Sequence, residues 1–338
     1  YKFKKQILID LDFLSLELSS QKTIGITGTE GKSTICSYIN EFLSKKYRSK
    51  IIGNFGDTIL DKKNLKNFLS KIDFLIIELS SYQLDKVKFL KLDYALITNI
   101  FVDHLDYHYN FKSYIKSKFK IQNFLHNNSN LYLSRKLFLK YRPYIKINRD
   151  RLIFNEHRIV AKDNVTKYLK ELNINSIKKL IHNIDSDLKI RNKILMNDLN
   201  YRNQLIYKSK NLEIYNDSKC TNLYNAIYKN NLIKSSKKIL ILGGKLKNQE
   251  NLKLKISNTL VLFFGYDSNS FLNHLNFINS KFYIFINLND LINFLRLILK
   301  LHKYNYVIFS PGGESFDCYR DYIDRGKNFN KLIKKIIH

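Results

Sequence analysis

Apolar residues recur along this chain in two rhythms. Gln21–Ile26, Phe74–Leu79 and Tyr94–Asn99 are runs of strand length that are apolar almost throughout, the pattern of parallel strands buried on both faces. Ser33–Lys45 (Ile35, Tyr38, Ile39, Phe42, Leu43) and Phe111–Leu125 (Phe111, Tyr114, Ile115, Phe119, Ile121) repeat instead at helical spacing. The signal fades through Ile145–Ile190, which is rich in lysine and asparagine. A second series then reads as strands: Leu212–Tyr215, Lys238–Leu242, Leu260–Phe264, Phe282–Ile286 and Tyr306–Phe309, with helix-patterned segments between several of them. Alternating strands and helices predict an α/β protein with a mostly parallel sheet in each half. The boundary is expected near residue 200, giving domains 1–199 and 200–338.

Composition narrows the class. With 338 residues and 44% hydrophobic content, the chain can bury two cores. No stretch approaches the ~20 apolar residues of a membrane helix, and Asp10, Asp12 and Glu17 interrupt the apolar run that a signal peptide needs after the basic N-terminus. Cys36, Cys220 and Cys318 are too far apart for a CxxC metal site and odd in number for a disulfide framework. The balance of 58 Lys+Arg against 29 Asp+Glu leaves +29. The lysines are spread along the chain beside many Asn, Ile, Tyr and Phe, as an AT-rich coding sequence favours, so the charge reads as solvated surface. Nucleic-acid binding is the alternative, and it predicts steeply salt-dependent binding to duplexes.

Candidate chemistry sits where strands end. Gly25-Ile26-Thr27-Gly28-Thr29-Glu30-Gly31-Lys32-Ser33-Thr34 carries a strand through a glycine loop into a helix. Its N–H groups suit phosphates, Lys32 suits the β/γ-phosphates and the Ser33 hydroxyl suits Mg²⁺. The first glycine of G-x-x-x-x-G-K-[ST] would fall at Ile26, so this is a compressed nucleoside-triphosphate loop. Glu78, in Glu78-Leu79-Ser80-Ser81-Tyr82-Gln83-Leu84, ends a buried strand where such folds place a metal-binding or water-orienting group; Ser80 and Ser81 are equally the start of a capped helix. Asn99–His108 clusters Asp103, His104, Asp106 and His108, which suits a metal or a solvated loop. Tyr114–Lys120 is, by composition, a basic helix face. In the second half Asn216–Asn222, Gly243–Lys247 and Ser310–Asp317 each follow a strand, and together they suit an anion site or simple loop decoration.

Taken in order, these strings resemble the Mur ligase family of peptidoglycan synthesis, most closely its D-glutamate-adding branch. The loop resembles T-G-T-x-G-K-[ST], and Glu78–Leu84 resembles E-L-S-S-[FY]-Q-L. Asn99–Asp106 resembles N-x-x-x-D-H-x-D and Asn216–Asn222 N-D-S-K-[AC]-T-N. Ser310–Asp317, with Asp321-Tyr322 and Arg325-Gly326, resembles the closing block.

The resemblance implies a P-loop-type central ATPase domain followed by a Rossmann-like domain that takes the amino acid. It implies an enzyme that uses ATP to make an acyl phosphate of UDP-N-acetylmuramoyl-L-alanine, which the amine of D-glutamate then attacks. Gly28, Thr29, Gly31, Lys32, Ser33 and Thr34 would hold the phosphates, and Ser33 and Glu78 the first of two Mg²⁺. His104 and a carbamylated Lys118 would hold the second. Asn54, Ser80 and Gln83 would line the reacting end of the substrate. Arg202 and Asp217 would contact the nucleotide, and Lys219, Thr221, Lys247, Ser315 and Tyr322 would receive D-glutamate. A cytoplasmic monomer, with no specific nucleic acid or membrane partner, is expected.

Departures accompany the resemblance. The family's N-terminal UDP-binding module has no counterpart here and is expected to be missing. Glu30 stands where the family has Asn, and Lys245 where it has an acidic residue. The adenine-contacting H-N pair has as its nearest candidates Asn173 and Asn175. The rivals are another ligase of the superfamily, such as a folylpolyglutamate synthase, and a degenerate nucleotide-binding protein.

Overall fold

A computed structural model describes residues 8–60, 64–155, 165–188, 199–247 and 253–337. Contacts divide the chain into two units. The first takes Tyr1–Ile100, His108–Val160 and Leu169–Met196; the second takes Phe101–Tyr107, Ala161–Tyr168 and Asn197–His338.

The first unit is built on six strands: β1 (Lys22–Thr27), β2 (Ser49–Gly53), β3 (Phe74–Glu78), β4 (Leu92–Ile97), β5 (Leu125–Ser134) and β6 (Leu152–Asn155). They pair in the order β2-β3-β1-β4-β5-β6, every pair parallel. Alternation along each strand assigns its side chains to two cores. Leu75, Ile77, Ala95 and Ile97 face Leu11 and Leu14 of α1 (Asp10–Glu17), Leu84 of α4 (Ser81–Lys86) and Tyr114 of α6 (Phe111–Phe119). Ile24, Ile26, Ile76 and Leu96 face Ile35 and Ile39 of α2 (Lys32–Leu43) and Ile177, Leu180 and Ile181 of α8 (Val165–Ile184). Between them in sequence lie α3 (Leu65–Ser70), the short α5 (Leu105–His108) and α7 (Arg135–Tyr141). β1 has β3 on one side and β4 on the other, the helices that follow β1 and β3 pack on opposite faces, and the carboxyl ends of these strands frame a crevice. Helical spacing predicted one helix to Leu125. The α-helix ends at Phe119 and a 3-10 turn covers Lys120–Phe124. There Gln122 is occupied with the Tyr144 carbonyl and the Lys146 N–H, pinning the chain as it turns into β5.

The second unit holds β7 (Gln204–Lys208), β8 (Glu213–Asn216), β9 (Lys238–Gly243), β10 (Leu254–Ser257), β11 (Thr259–Phe264), β12 (Leu275–Ile278), β13 (Lys281–Phe285) and β14 (Tyr306–Gly312). Six form a sheet in the order β13-β11-β9-β14-β8-β7, parallel except for the β7–β8 hairpin, and β10 pairs with β12. One core joins Ile239, Ile241, Leu262, Val307 and Phe309 to α11 (Leu288–Leu299) and α12 (Tyr322–Ile337), with Phe309 and Phe329 stacked at 4.0 Å. The other joins Leu240, Leu242, Val261 and Phe263 to α9 (Leu223–Leu232) and α10 (Ser268–Leu272). Lys238 opens β9 from inside this core: its Nζ donates to the carbonyls of Asn230 and Ile233 and so closes the end of α9. Burial pushes its pKa down to about 8.

Candidate active site

β1 delivers Thr27 to the crevice, and the loop Gly28–Gly31 turns the chain into α2. Gly28 sits at φ 147, and a Cβ there would lie 1.9 Å from Thr98 Oγ1, so only glycine fits. Gly31, at φ 80, is the N-cap of α2 and has no side chain to cap it, which turns the first-turn N–H groups toward an anion. The end of β4 holds the loop: Thr29 N–H donates to Asn99 O, Glu30 N–H to Asn99 Oδ1, and Thr98 Oγ1 and Asn99 Nδ2 to Glu30 O. The acidic residue in the loop is therefore anchored through its backbone. Lys32 Nζ donates to the carbonyls of Gly28 and Thr29, each at 2.9 Å. Ser33 is buried and Thr34 half-buried on the first turn of α2. Asn173 of α8 lies against this loop, its Oδ1 3.6 Å from where a Cβ on Gly31 would be. Asn175, two residues on, is half-buried on another side of the helix.

At the next strand, Glu78 is 2% exposed. Its Oε1 accepts from Asn54 Nδ2 at 3.1 Å, and the Gly53–Asn54 turn lies on it, with Asn54 N–H bonded to Glu78 O. Glu78 Oε2 is buried and has no hydrogen-bond partner among the described residues. A buried carboxylate oxygen without a donor is costly, and a cation supplies what it lacks. No group of three or more His, Cys, Asp or Glu gathers among the described residues. One carboxylate plus hydroxyl and phosphate oxygens is the donor set suited to Mg²⁺, which keeps several waters. Ser80 and Gln83 form a reciprocal capping box at the start of α4, so their side chains also shape their own loop.

Lys118, on α6, is 2% exposed. Its Nζ donates to Thr27 Oγ1 at 3.3 Å and lies 5.2 Å from the centre of the Tyr114 ring. The Tyr114 hydroxyl is 3.0 Å from Thr29 Oγ1. Within the first unit, then, the phosphate loop, Glu78 with Asn54, and Lys118 with Tyr114 share the carboxyl edge of the sheet.

The second unit gathers the remaining candidates. Asp217 is fully engaged: Oδ2 pairs with Lys229 Nζ at 2.6 Å and accepts from Ser310 Oγ, while Oδ1 accepts from the Asn203 N–H, beside half-buried Arg202. Lys219 Nζ sits 3.9 Å above the Tyr322 ring. Thr221 is half-buried and Ser315 buried. The loops after β9 and β14 pair through backbone bonds between Lys245 and Glu314. Lys247 Nζ lies 3.2 Å from Asp103 Oδ1 and 3.9 Å from Glu314 Oε1, and Asp103 Oδ2 is 3.5 Å from His104 Nε2. Burial works to raise the Asp103 carboxyl, but Lys247 and His104 outweigh it and hold it below the usual range.

Two supporting residues, Arg325 and Lys229, had no assigned role in the sequence, and Asp103, read there as a metal or solvated-loop candidate, joins them. Arg325, fully buried, donates through Nε to Ser218 Oγ, through Nη2 to Ser218 O and through Nη1 to Gly313 O, tying the loop of Lys219 to the loop of Ser315. Burial lowers its pKa to about 10. Asp103 and Lys229 likewise act by holding other side chains. Arg325-Gly326 in the closing block was the one available signal.

Residues 26–189 match the model of the Mur ligase middle domain. The chain is similar to the UDP-N-acetylmuramoylalanine–D-glutamate ligase of Prochlorococcus marinus, with 30% identity covering 94% of this chain and 74% of the relative. It is also similar to the enzyme of that name from Fervidobacterium nodosum, with 28% identity covering 94% of this chain and 75% of the relative. Among solved structures it resembles the MurF ligase of Thermotoga maritima in complex with ADP, with a TM-score of 0.63 and 14% identity over 96% of this chain and 84% of that one. Fold, loop geometry and relatives agree, and the chain belongs to the Mur ligase family.

Proposed function

We propose that this chain joins D-glutamate to UDP-N-acetylmuramoyl-L-alanine, in the cytoplasm and as a monomer, through an acyl phosphate. Its family consists of ATP-dependent ligases that form C–N bonds, and the curated relatives reported above carry the D-glutamate ligase name. The observation that carries the reading is the pairing, at one sheet edge, of a phosphate loop with a buried carboxylate oxygen that lacks a donor and a buried lysine. No helix among the described residues is long and apolar enough to cross a membrane.

In this reading residues 1–199 bind ATP and residues 200–338 bind the amino acid. Gly28–Thr34 cradle the phosphates, with Lys32 released from the Gly28 and Thr29 carbonyls to the β/γ-phosphates. Ser33 and Glu78 hold one Mg²⁺; His104 and Lys118, carrying a carbamate, hold a second. Bound Mg²⁺ neutralises charge on the transferring phosphoryl group. Asn54, Ser80 and Gln83 border the reacting carboxylate. Arg202 and Asp217 meet the nucleotide, and Lys219, Thr221, Lys247, Ser315 and Tyr322 meet the dicarboxylate, for which paired cations and hydroxyls are suited. Excluding water protects the acyl phosphate until the amine attacks.

The test is phosphate release from ATP by the 338-residue chain. Release is expected only with both UDP-N-acetylmuramoyl-L-alanine and D-glutamate, and with no other amino acid in a panel. No release with both substrates overturns the reading, and release with a different amino acid reassigns the substrate. Lys118→Ala should abolish turnover and recover part of it with short-chain acids; full activity without them would remove the metal-bridging role.

A further inference from the structure

Thr27, the last residue of β1 and the first of the T-G-T-x-G-K-[ST] string, is fully buried and stands outside the phosphate-holding set Gly28–Thr34. A threonine hydroxyl has one proton to give. Here it goes to the carbonyl of Leu79 at 2.8 Å, so only the lone pairs of Oγ1 remain, and they face Lys118 Nζ at 3.3 Å. Leu79 directly follows Glu78, and its own N–H is bonded to Ile26 O. One hydroxyl therefore links the lysine to the segment that delivers the carboxylate. Tyr114, four residues before Lys118 on α6, borders the amine from a second side.

We propose that Thr27 is a positioning residue for Lys118, a committed hydrogen-bond acceptor that fixes the amine in the orientation in which it takes up carbon dioxide. The inference rests on the carbamate reading of Lys118 given above. In that step the amine nitrogen attacks the carbon of CO2, a C–N bond forms, one C=O π pair moves onto oxygen, and a proton leaves to water. The carbamate nitrogen keeps a single N–H. That N–H is a stronger donor than the N–H of the neutral amine, so an acceptor at position 27 favours the carbamate, whereas a donor there would compete for the carbamate oxygens. With its proton held by Leu79, Thr27 cannot be that donor.

The experiment compares the full chain with Thr27→Val, which keeps the shape and loses the acceptor, and Thr27→Ser, which keeps the hydroxyl. ADP binding reports whether each variant is folded at the phosphate loop. In the first arm, without bicarbonate, Lys118 is labelled with acetic anhydride in competition with the other lysines and read by mass spectrometry. Thr27→Val should label several-fold faster because its amine is held less firmly, and Thr27→Ser should label as the parent does. In the second arm, ¹³C-bicarbonate is titrated and the carbamate resonance followed by NMR. Thr27→Val should need on the order of fivefold more bicarbonate, the worth of one lost neutral hydrogen bond, and serine should restore the parent midpoint.

Equal labelling rates and equal midpoints in Thr27→Val and the parent overturn the proposal. A parent chain with no carbamate resonance overturns the carbamate reading and with it the uptake role, while the labelling arm still decides whether Thr27 holds the amine. A Thr27→Val chain that fails to bind ADP moves the decision to Thr27→Ser and Thr27→Ala: parental labelling in serine with fast labelling in alanine supports the proposal, and equal rates overturn it.

Discussion

Replacing Arg325 by methionine should loosen the amino-acid pocket more than it unfolds the protein. The guanidinium makes three hydrogen bonds of 2.8–3.2 Å, to Ser218 Oγ, Ser218 O and Gly313 O. Methionine fills much of the same volume and donates nothing. Three acceptors left without a donor cost ~1–3 kcal/mol each. Against this, the folded chain no longer buries a charge. That burial lowers the arginine pKa from its ordinary value to about 10, a penalty of about 3 kcal/mol whose removal offsets one or two of the lost bonds. The net destabilisation is thus on the order of 3 kcal/mol, and it falls on two loops rather than on the sheet, because every lost bond ends on residue 218 or 313. Hydrogen exchange read by mass spectrometry should show faster exchange in peptides covering Asn216–Asn222 and Ser310–Ser315, with the β9 and β11 peptides unchanged. The KM for D-glutamate should rise about tenfold or more, since ~1.4 kcal/mol of ordering shifts affinity by that factor. Parental exchange in both loops together with a parental KM would refute the reasoning, because it would mean that the loops hold their positions without the arginine.

Three further outcomes follow from the same geometry. Gly28→Ala places a methyl 1.9 Å from Thr98 Oγ1 at φ 147; with strain of about 1–3 kcal/mol focused on the loop, ADP affinity should collapse while far-UV circular dichroism stays parental, and parental affinity would contradict the loop geometry. Glu78→Gln removes a charge whose Oε2 has no donor, so its Tm should equal or exceed that of the parent while Mg²⁺-dependent turnover falls on the order of a hundredfold; a lowered Tm with intact turnover would reverse the assignment. Lys238, held at about 8 when folded against the ordinary lysine value of 10.5, releases its proton in the folded chain first, so between those values the unfolded chain binds more protons and stability rises with pH, by up to about 3 kcal/mol. Denaturant titrations of the parent and Lys238→Met from pH 7.5 to 10.5 should differ by that slope, and parallel curves would show that the ammonium is not penalised.

Much of the fold was legible because buried parallel strands advertise themselves. β1, β3, β9 and β11 are apolar runs at least five-sixths buried, and each was predicted to within a residue or so. β2 (SKIIG) was not predicted as a strand: it lies at the sheet edge, buries only Ile52 fully, and carries polar residues where an inner strand carries valine or isoleucine. β10 and β12 were missed for the same reason, being four residues each in a two-stranded sheet. α1 is short and sits in text read only for what it excluded; its Asp12 is buried because its carboxylate collects the N–H groups of Ile9, Lys88 and Phe89, the last two from residues more than seventy positions away.

The site divides along another line. Residues proposed to touch nucleotide or substrate, such as Lys32, Glu78 and Lys219, stand in short strings where a strand ends, so local sequence singles them out as candidates, whereas Lys118, on a basic helix face of α6, was singled out by the resemblance alone. Residues that hold those groups do so through backbone atoms in the loops that follow other strands: Thr27 through Leu79, Arg325 through Ser218 and Gly313, and Asn99 through Glu30. No spacing encodes such a meeting. The same distinction explains the departures in the phosphate loop. Ile26, where a longer loop would have glycine, is fully buried in β1 with its carbonyl bonded to Leu79 N–H, so the turn starts at Gly28 and needs no glycine earlier. Glu30 looked hostile to phosphate as a side chain, yet β4 fixes it through its N–H and C=O, and a substitution there changes charge without changing the path of the loop. A sequence departure weighs against function only where the side chain itself meets the ligand, and Glu30→Asn, with ADP affinity as the readout, isolates that charge from the geometry around it.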